Sequence, residues 1–294
     1  MAIDFSIVIP AKNEQENIEG LLKNIRSAFP SAELIIVNDG STDKTKIIAE
    51  EFADTVITHP YSLGNGSAIK SGARKATHNV IVFMDADGQH MPDTIQSLLD
   101  KIEEGYDMAV GARTISSQAN IFRSIGNNIY NFIASKVTGH KIKDLTSGFR
   151  AVKKDLFNRF LYLLPNGFSY PTTITMAFFR SGYSVAYIPF EAKKRSGKSH
   201  LNIFTDGLRF FVIIIKIASL YAPLKVFTPV AMITFILGLS NYAYTYFSDG
   251  RFTNMSALLL IVSIVIFMLG LLAEQITVLT YAASESRSSD KIHN

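Results

Sequence analysis

Two stretches toward the C-terminal end carry no charged residue: Val226 to Phe247, 22 residues, and Met255 to Ala273, 19 residues. At about 1.5 Å of rise per residue, a helix of either length crosses a hydrocarbon core about 30 Å thick. The segment between them, "SDGRFTN", is so short that the two helices must run antiparallel, as a hairpin. Just before the first stretch, Lys193, Lys194, Arg195, Lys198, Arg209, Lys216 and Lys225 face a single acid, Asp206. The positive-inside rule therefore puts this region, and both ends of the hairpin, in the cytosol. Glu274 follows the second stretch directly, where an interfacial anchor is expected.

The basic region overlaps a different pattern. In "LNIFTDGLRFFVIIIKIASLY", Ile203, Phe204, Leu208, Phe211, Ile214, Ile215 and Ala218 fall mainly on one helical face, with Arg209 and Lys216 placed to snorkel. This predicts an interfacial amphipathic helix over 201–222, followed by two transmembrane helices over 223–283 and a cytosolic tail over 284–294. Residues 1–200 form the remaining domain. The start of the chain has no basic stretch and too short an apolar run for a signal peptide, so this domain is expected to stay cytosolic.

Within that domain, strand and helix patterns alternate. "FSIVIP" and "ELIIVNDG" are β-branched runs stopped by turn residues, as in parallel strands covered on both faces. Between them Ile18, Leu21, Leu22 and Ile25 recur at helical spacing, with Asn13 as the expected N-cap and Glu16 as its capping-box partner. A second helix is expected from Ser41, a strand at "TVITHP", a third helix in "LGNGSAIKSGARKA", a strand at "NVIVFMDAD", a helix at "DTIQSLLDKIEEG", and strands at "DMAVGAR" and "GYSVAYIPFEAKKR". The class is α/β, a Rossmann-like, open and mostly parallel sheet.

Asp85 and Asp87 end a strand and are two residues apart, so both carboxylates face the same way while Ala86 faces the fold. Ligands of open α/β sheets bind at these strand ends. Two carboxylates side by side suit a hard divalent cation, Mg²⁺ or Mn²⁺, bridging a nucleotide diphosphate, with Gln89 able to add an amide oxygen. Asn13, Glu14 and Asp39 reach the same crevice from two other strand ends, although Asp39 taken alone is equally a turn or cap residue. There is no cysteine, hence no thiolate metal site or nucleophile, and neither a dinucleotide fingerprint nor a Walker lysine motif is present. A net charge of +4 is too small to indicate nucleic acid. Asp144 can orient the loop that follows it or bond the "TSG" turn; it is not assigned as a base.

Taken together, "FSIVIPAKNEQENI", "IIVNDGSTDKT", "MDADGQH", "VGAR", "DLTSGFRAVKKDLF" and "KKRSGKSHL" resemble family 2 glycosyltransferases of the GT-A fold. Among these they are similar to the polyprenyl-phosphate glycosyltransferases, the group that includes dolichol-phosphate mannose synthase. The resemblance implies that Pro10, Ala11, Asn13, Glu14, Asp39 and Asp85 bind the nucleotide, and that Asp85, Asp87 and Gln89 hold Mg²⁺ or Mn²⁺. It further implies that Arg113, Arg123, Ser147, Gly148, Arg195 and Ser199 surround the sugar and the acceptor phosphate, with Asp87, Arg113 and Arg195 closest to the chemistry. Lys198 joins the acceptor side by position, since it and Arg195 directly precede the expected interfacial helix, where an anionic lipid head presents itself. The implied partners are a nucleotide-diphosphate sugar (a UDP-sugar favoured, GDP-mannose open), a polyprenyl phosphate, either undecaprenyl or dolichyl, and the membrane itself, bacterial inner or archaeal plasma. Homo-oligomerisation stays open. Gly88 stands where the mannose synthases carry leucine, and the absence of tryptophan excludes the Gln-x-x-Arg-Trp signature of processive polysaccharide synthases. Two alternatives remain: transfer to another lipid such as a diacylglycerol, and a non-catalytic nucleotide-sensing membrane subunit.

Overall fold

The computed structural model describes residues 3–88, 93–114, 121–167, 169–191 and 221–289. Contacts divide the chain into two compact units, residues 1–135 with 140–199, and residues 136–139 with 200–294.

The first unit is built on a seven-stranded sheet. In chain order its elements are β1 (Phe5–Ala11), α1 (Ile18–Ala28), β2 (Glu33–Asn38), α2 (Thr45–Phe52), β3 (Thr55–Thr58), α3 (Asn65–Lys75), β4 (Val80–Phe83), α4 (Asp93–Glu103), β5 (Met108–Arg113), α5 (Ile121–Thr138), β6 (Arg150–Lys153), α6 (Lys154–Arg159), α7 (Tyr170–Arg180) and β7 (Val185–Phe190). The strand order is β3-β2-β1-β4-β6-β5-β7. All pairings are parallel except those of β6, which lies antiparallel to both β4 and β5. The sheet is therefore mixed, and the order reverses between β1 and β4, the switch point where α/β sheets open a crevice.

The apolar runs of the strands are buried because helices cover both faces. Ile7, Ile9, Leu34, Ile36 and Val82 pack with Ile18, Leu22 and Ile25 of α1 and with Ile95, Leu98 and Leu99 of α4. On the opposite face α3 lies so close that a Cβ on Gly72 would come within 2.3 Å of Val8 Cγ1, which accounts for glycine there.

Two expectations change. Asn13 does not cap α1: the helix starts at Ile18, and Asn13 adopts a left-handed conformation (φ 54°). Its Oδ1 accepts from the Thr42 N–H at 2.9 Å, and its own N–H donates to Ser41 Oγ at 3.0 Å, so the loop after β1 is tied to the loop after β2 instead. The second helix likewise begins at Thr45 rather than Ser41, because Thr45 and Asp43 are engaged in the same inter-loop bonds, Glu14 N–H to Thr45 Oγ1 (2.8 Å) and Gln15 N–H to Asp43 Oδ2 (3.2 Å).

The second unit contains α8 (Pro223–Asp249) and α9 (Asn254–Ser289). Both are long and apolar enough to cross a membrane, over Pro223–Asp249 and Asn254–Ala282. The interfacial helix expected over 201–222 lies almost wholly outside the described residues. α9 runs as one helix through Glu274 and past residue 283, so the expected tail begins helical. Glu274 Oε2 accepts from the Leu224 N–H at 3.5 Å, serving an N–H of the first turn of α8 that has no intrahelical partner.

Glycines bring the two helices together. A Cβ on Gly270 would lie 2.7 Å from Phe227 Cβ, and one on Gly238 would lie 3.0 Å from Leu259 Cβ. At the loop end, Asn241 Oδ1 accepts from Ser256 Oγ at 2.8 Å and from Thr253 Oγ1 at 3.3 Å. Gly270→Leu should lower the stability of the hairpin by about 1–3 kcal/mol, since the added side chain meets Phe227 Cβ, which no rotamer change can move away. The check is the thermal midpoint in detergent, with Gly20→Ala, where nothing lies within 4 Å, as a neutral or slightly stabilising comparison. Equal midpoints for Gly270→Leu and wild type would show that the hairpin is not packed in this way.

Candidate active site

The switch point collects polar groups from several strand ends. Asp85 and Asp87 lie in the segment just past β4, which ends at Phe83; both are half-buried, while Ala86 between them is 3% exposed and packs into the core. The strand expected to run through Asp87 stops at Phe83, so both carboxylates lie in the segment after it and strand phase does not set their direction. Gly88 turns the chain with φ 70°.

β6 brings a second group of residues to the same edge. Because it runs antiparallel to β4, the residues that precede it, Asp144 to Phe149, arrive where β4 and β5 end. Asp144 is 5% exposed and forms a bidentate pair with Arg113, the last residue of β5: Arg113 Nε donates to Oδ2 at 2.8 Å and Nη2 to Oδ1 at 2.9 Å. Arg113 Nη2 also donates to Thr146 Oγ1 at 2.6 Å, and the Thr146 N–H donates back to Asp144 Oδ1 at 3.1 Å. Asp144 therefore both orients Arg113 and bonds the "TSG" turn.

Charge follows from this geometry. Burial alone would raise the Asp144 pKa, but the bonds and charge of Arg113 outweigh it and hold the carboxyl below its ordinary value. Burial would lower that of Arg113, and here the bonds to Asp144, with the fields of Asp85 and Asp87, hold it above. Asp144 is thus a poor proton acceptor near neutrality and a firm partner for a permanently charged guanidinium.

Gly148 packs against the first acid: a Cβ there would lie 2.9 Å from Asp85 Oδ2 and 3.2 Å from Oδ1. Next to it, the Ser147 hydroxyl is buried with no hydrogen-bond partner among the described residues. The donor set fits a hard cation, since two carboxylates with oxygen ligands only stand beside a close-packed glycine and an unused hydroxyl. Gln89, the expected third ligand, lies outside the described residues, as do Arg195, Lys198 and Ser199. Arg123 is on α5, and its side chain is not among those described.

Asp39 sits at the end of β2 and is 4% exposed. His59 Nδ1 lies 2.7 Å from Oδ1, the Leu63 N–H donates to Oδ1 at 2.8 Å, and Ser62 Oγ and the Gly64 N–H donate to Oδ2 at 2.8 and 2.9 Å. Four donors saturate a carboxylate. These bonds give Asp39 a turn role, fixing the β3–α3 loop. Burial would raise its pKa, yet the bonds from His59, Leu63, Ser62 and Gly64 together hold it below the ordinary aspartate value. Pro10 and Ala11 end β1 at the same edge, with Asn13 and Glu14 just beyond. Sequence reasoning missed the partners of these residues: His59 and Ser62 for Asp39, and Arg150 and Tyr170 behind the "TSG" turn. A fully buried arginine in "FRAV" was visible only as a charge in an apolar stretch.

The family model for glycosyl transferase family 2 matches residues 6–161, more than half of the chain and every strand end described above except that of β7. The chain belongs to glycosyl transferase family 2. A second model, the GtrB C-terminal hairpin, matches residues 222–279, over α8 and α9. Similar relatives include the polyprenol monophosphomannose synthase of Mycolicibacterium smegmatis, 28% identical over 64% of this chain and 77% of that protein. The dolichyl-phosphate hexose transferase of Haloferax volcanii is 27% identical over 73% of this chain and 93% of its own length. The undecaprenyl-phosphate 4-deoxy-4-formamido-L-arabinose transferase of Proteus mirabilis is 32% identical, but the chain spans only 51% of its length. Among solved structures, glucosyl-3-phosphoglycerate synthase from Mycobacterium tuberculosis, in complex with Mn²⁺, UDP-glucose and phosphoglyceric acid, superposes with a TM-score of 0.60 at 18% identity over 74% of this chain and 80% of that one. That likeness establishes the GT-A type of fold. As a family 2 member with an apolar hairpin, the chain is a membrane-associated glycosyltransferase.

Proposed function

We propose that this glycosyltransferase moves a sugar from a nucleotide-diphosphate sugar to a polyprenyl phosphate at the cytosolic face of the membrane. The observation that carries the reading is the convergence, at one sheet edge, of the Asp85–Asp87 pair with the Arg113–Asp144 fork and the Ser147–Gly148 turn, in a chain that ends in a membrane hairpin. Relatives that use polyprenol, dolichyl or undecaprenyl phosphate support it.

The Pro10, Ala11, Asn13 and Glu14 segment and the loop held by Asp39 bind the nucleotide; Asp85, Asp87 and Gln89 hold Mg²⁺ or Mn²⁺. When bound, the cation supplies Lewis-acid stabilisation of the departing diphosphate. A phosphate acceptor is already ionised at neutral pH, so its oxygen attacks the anomeric carbon, with inversion, without a strong general base. That accords with Asp144, which is held ionised by Arg113 and is not poised to take a proton. Arg113, oriented by Asp144, is left to position anionic oxygens, and the Ser147 hydroxyl to donate to them. Arg123, Arg195, Lys198 and Ser199 complete the acceptor side, where basic residues adjoin the expected interfacial helix.

The test is a screen of UDP- and GDP-sugars against undecaprenyl phosphate, dolichyl phosphate and diacylglycerol with the purified chain, reading lipid products by mass. Product on a polyprenyl phosphate only is expected; product on diacylglycerol, or no turnover with any pair, overturns the proposal. With the competent pair, Arg195→Ala should lose about ten- to a hundredfold in efficiency toward the lipid, with nucleotide-sugar affinity held. A fall in nucleotide-sugar affinity instead would move Arg195 to the donor side.

A further inference from the structure

Arg150 is completely buried. It lies in β6, where it pairs with Phe83 of β4 and Val110 of β5. Among the described residues no carboxylate lies within ion-pair distance of it. Its Nη1 donates to Pro171 O and Thr175 Oγ1, both at 3.2 Å, its Nη2 donates to Ser147 O, and its Nε has no hydrogen-bond partner among the described residues. Neutral partners do not repay the loss of hydration of a guanidinium, and arginine does not escape by deprotonation. A cation is therefore kept, at a cost to stability, in the wall of the candidate active site.

What it touches indicates its role. Arg150 grips the carbonyl of Ser147, and Tyr170, whose ring lies 5.7 Å from the guanidinium, donates to the carbonyl of Gly148 at 3.1 Å. These are the two residues of the turn that packs on Asp85. Among the described residues, Asp144 and Asp85 are carboxylates whose charges act on Arg150. Asp85, Asp87 and Asp144 thus share the site with two guanidiniums, Arg113 and Arg150.

We propose that Arg150 is a positioning residue for sugar transfer: with Tyr170 it holds the Ser147–Gly148 turn against Asp85, and its fixed charge tilts the site away from a free cation and toward a cation carrying a diphosphate. This rests on the reading of Asp85 and Asp87 as the metal and diphosphate site. The charge of Arg150 repels a divalent ion and attracts the anion the ion accompanies, so removing it has opposite effects on the two. A purely structural role would weaken both.

The test uses the full chain in detergent and three variants, Arg150→Gln, Arg150→Lys and Tyr170→Phe. Mn²⁺ alone is titrated by electron paramagnetic resonance, UDP and GDP are titrated at saturating Mn²⁺ by calorimetry, and kcat and KM are measured with the competent substrate pair. Arg150→Gln should bind free Mn²⁺ about three- to tenfold more tightly and the nucleoside diphosphate more weakly by a similar factor, with kcat reduced about tenfold or more. Arg150→Lys keeps the charge but not the fork, and Tyr170→Phe keeps the charge but frees Gly148. Both should hold wild-type Mn²⁺ affinity while kcat falls. Parallel weakening of Mn²⁺ and nucleotide in Arg150→Gln overturns the inference. Should that variant not fold, a change of Mn²⁺ affinity beyond about threefold in Arg150→Lys or Tyr170→Phe does the same. Absence of Mn²⁺ binding to the wild-type chain, with or without nucleotide, overturns the metal reading and this inference with it, whereas normal wild-type binding with no split among the variants overturns the inference alone.

Discussion

Asp87→Ala should abolish sugar transfer, with a loss of at least about a hundred- to a thousandfold in kcat and an unchanged melting curve. The side chain lies half-buried just past β4, outside the apolar core that Ala86 joins, so truncation removes charge from the crevice without opening a cavity. Asp85→Asn should be equally inactive, since the amide keeps the packing on Gly148 but halves the anionic donors. The measurement is product formation at saturating substrates, with added Mn²⁺ or Mg²⁺ and with excess EDTA. EDTA should reproduce the mutant phenotype in the wild-type chain. Full turnover in EDTA, or an active Asp87→Ala enzyme, would remove the divalent cation from the mechanism.

The second large effect concerns stability and its pH dependence. Asp39→Asn leaves four donors facing an amide that offers one acceptor oxygen and two N–H groups of its own, so at least one backbone N–H of Leu63 or Gly64 loses its partner. The cost should be about 3 kcal/mol, or a fall of about 6–12 °C in thermal midpoint for a domain of this size. Because the folded state holds the Asp39 pKa below the ordinary aspartate value, its contribution is fully present above the unfolded pKa, near pH 4, and is lost as pH falls through the folded one. The gap between wild type and Asp39→Asn should therefore be widest at neutral pH and close in acid. A gap independent of pH would mean that the charge of Asp39 contributes nothing and only the shape of the loop matters. Nucleotide affinity should fall with the loop even at temperatures where the variant stays folded.

Much of this protein is legible from local pattern, because local pattern reports which side of each element is buried. The runs at β1, β2, β4, β5 and β7, the helical spacing of Ile18, Leu21, Leu22 and Ile25, and the two uncharged stretches all became the elements expected of them. The expected strand through Asp85 and Asp87 ends earlier, at Phe83, and the segment that follows carries both acids, with Ala86 between them buried as expected. The motifs together identified the family, which the family model then matched over residues 6–161.

Other features depend on which segments meet. β6 is four residues, "RAVK", with a charge at each end, and nothing in it asks to be a strand. It becomes one only because β4 and β5 leave a gap that an antiparallel partner fills. That insertion carries Asp144 to Arg113 across a separation of 31 residues, sets Gly148 on Asp85, and buries Arg150 behind them. In the same way Asn13, a good N-cap by sequence, spends its side chain on Thr42, 29 residues away, because the β1 and β2 loops lie side by side in a parallel sheet. Sequence determined the elements, the acid pair and the membrane hairpin through periodicity and charge, which act over a few residues. The partners of each charged group were decided by strand order and strand direction, which no local pattern encodes.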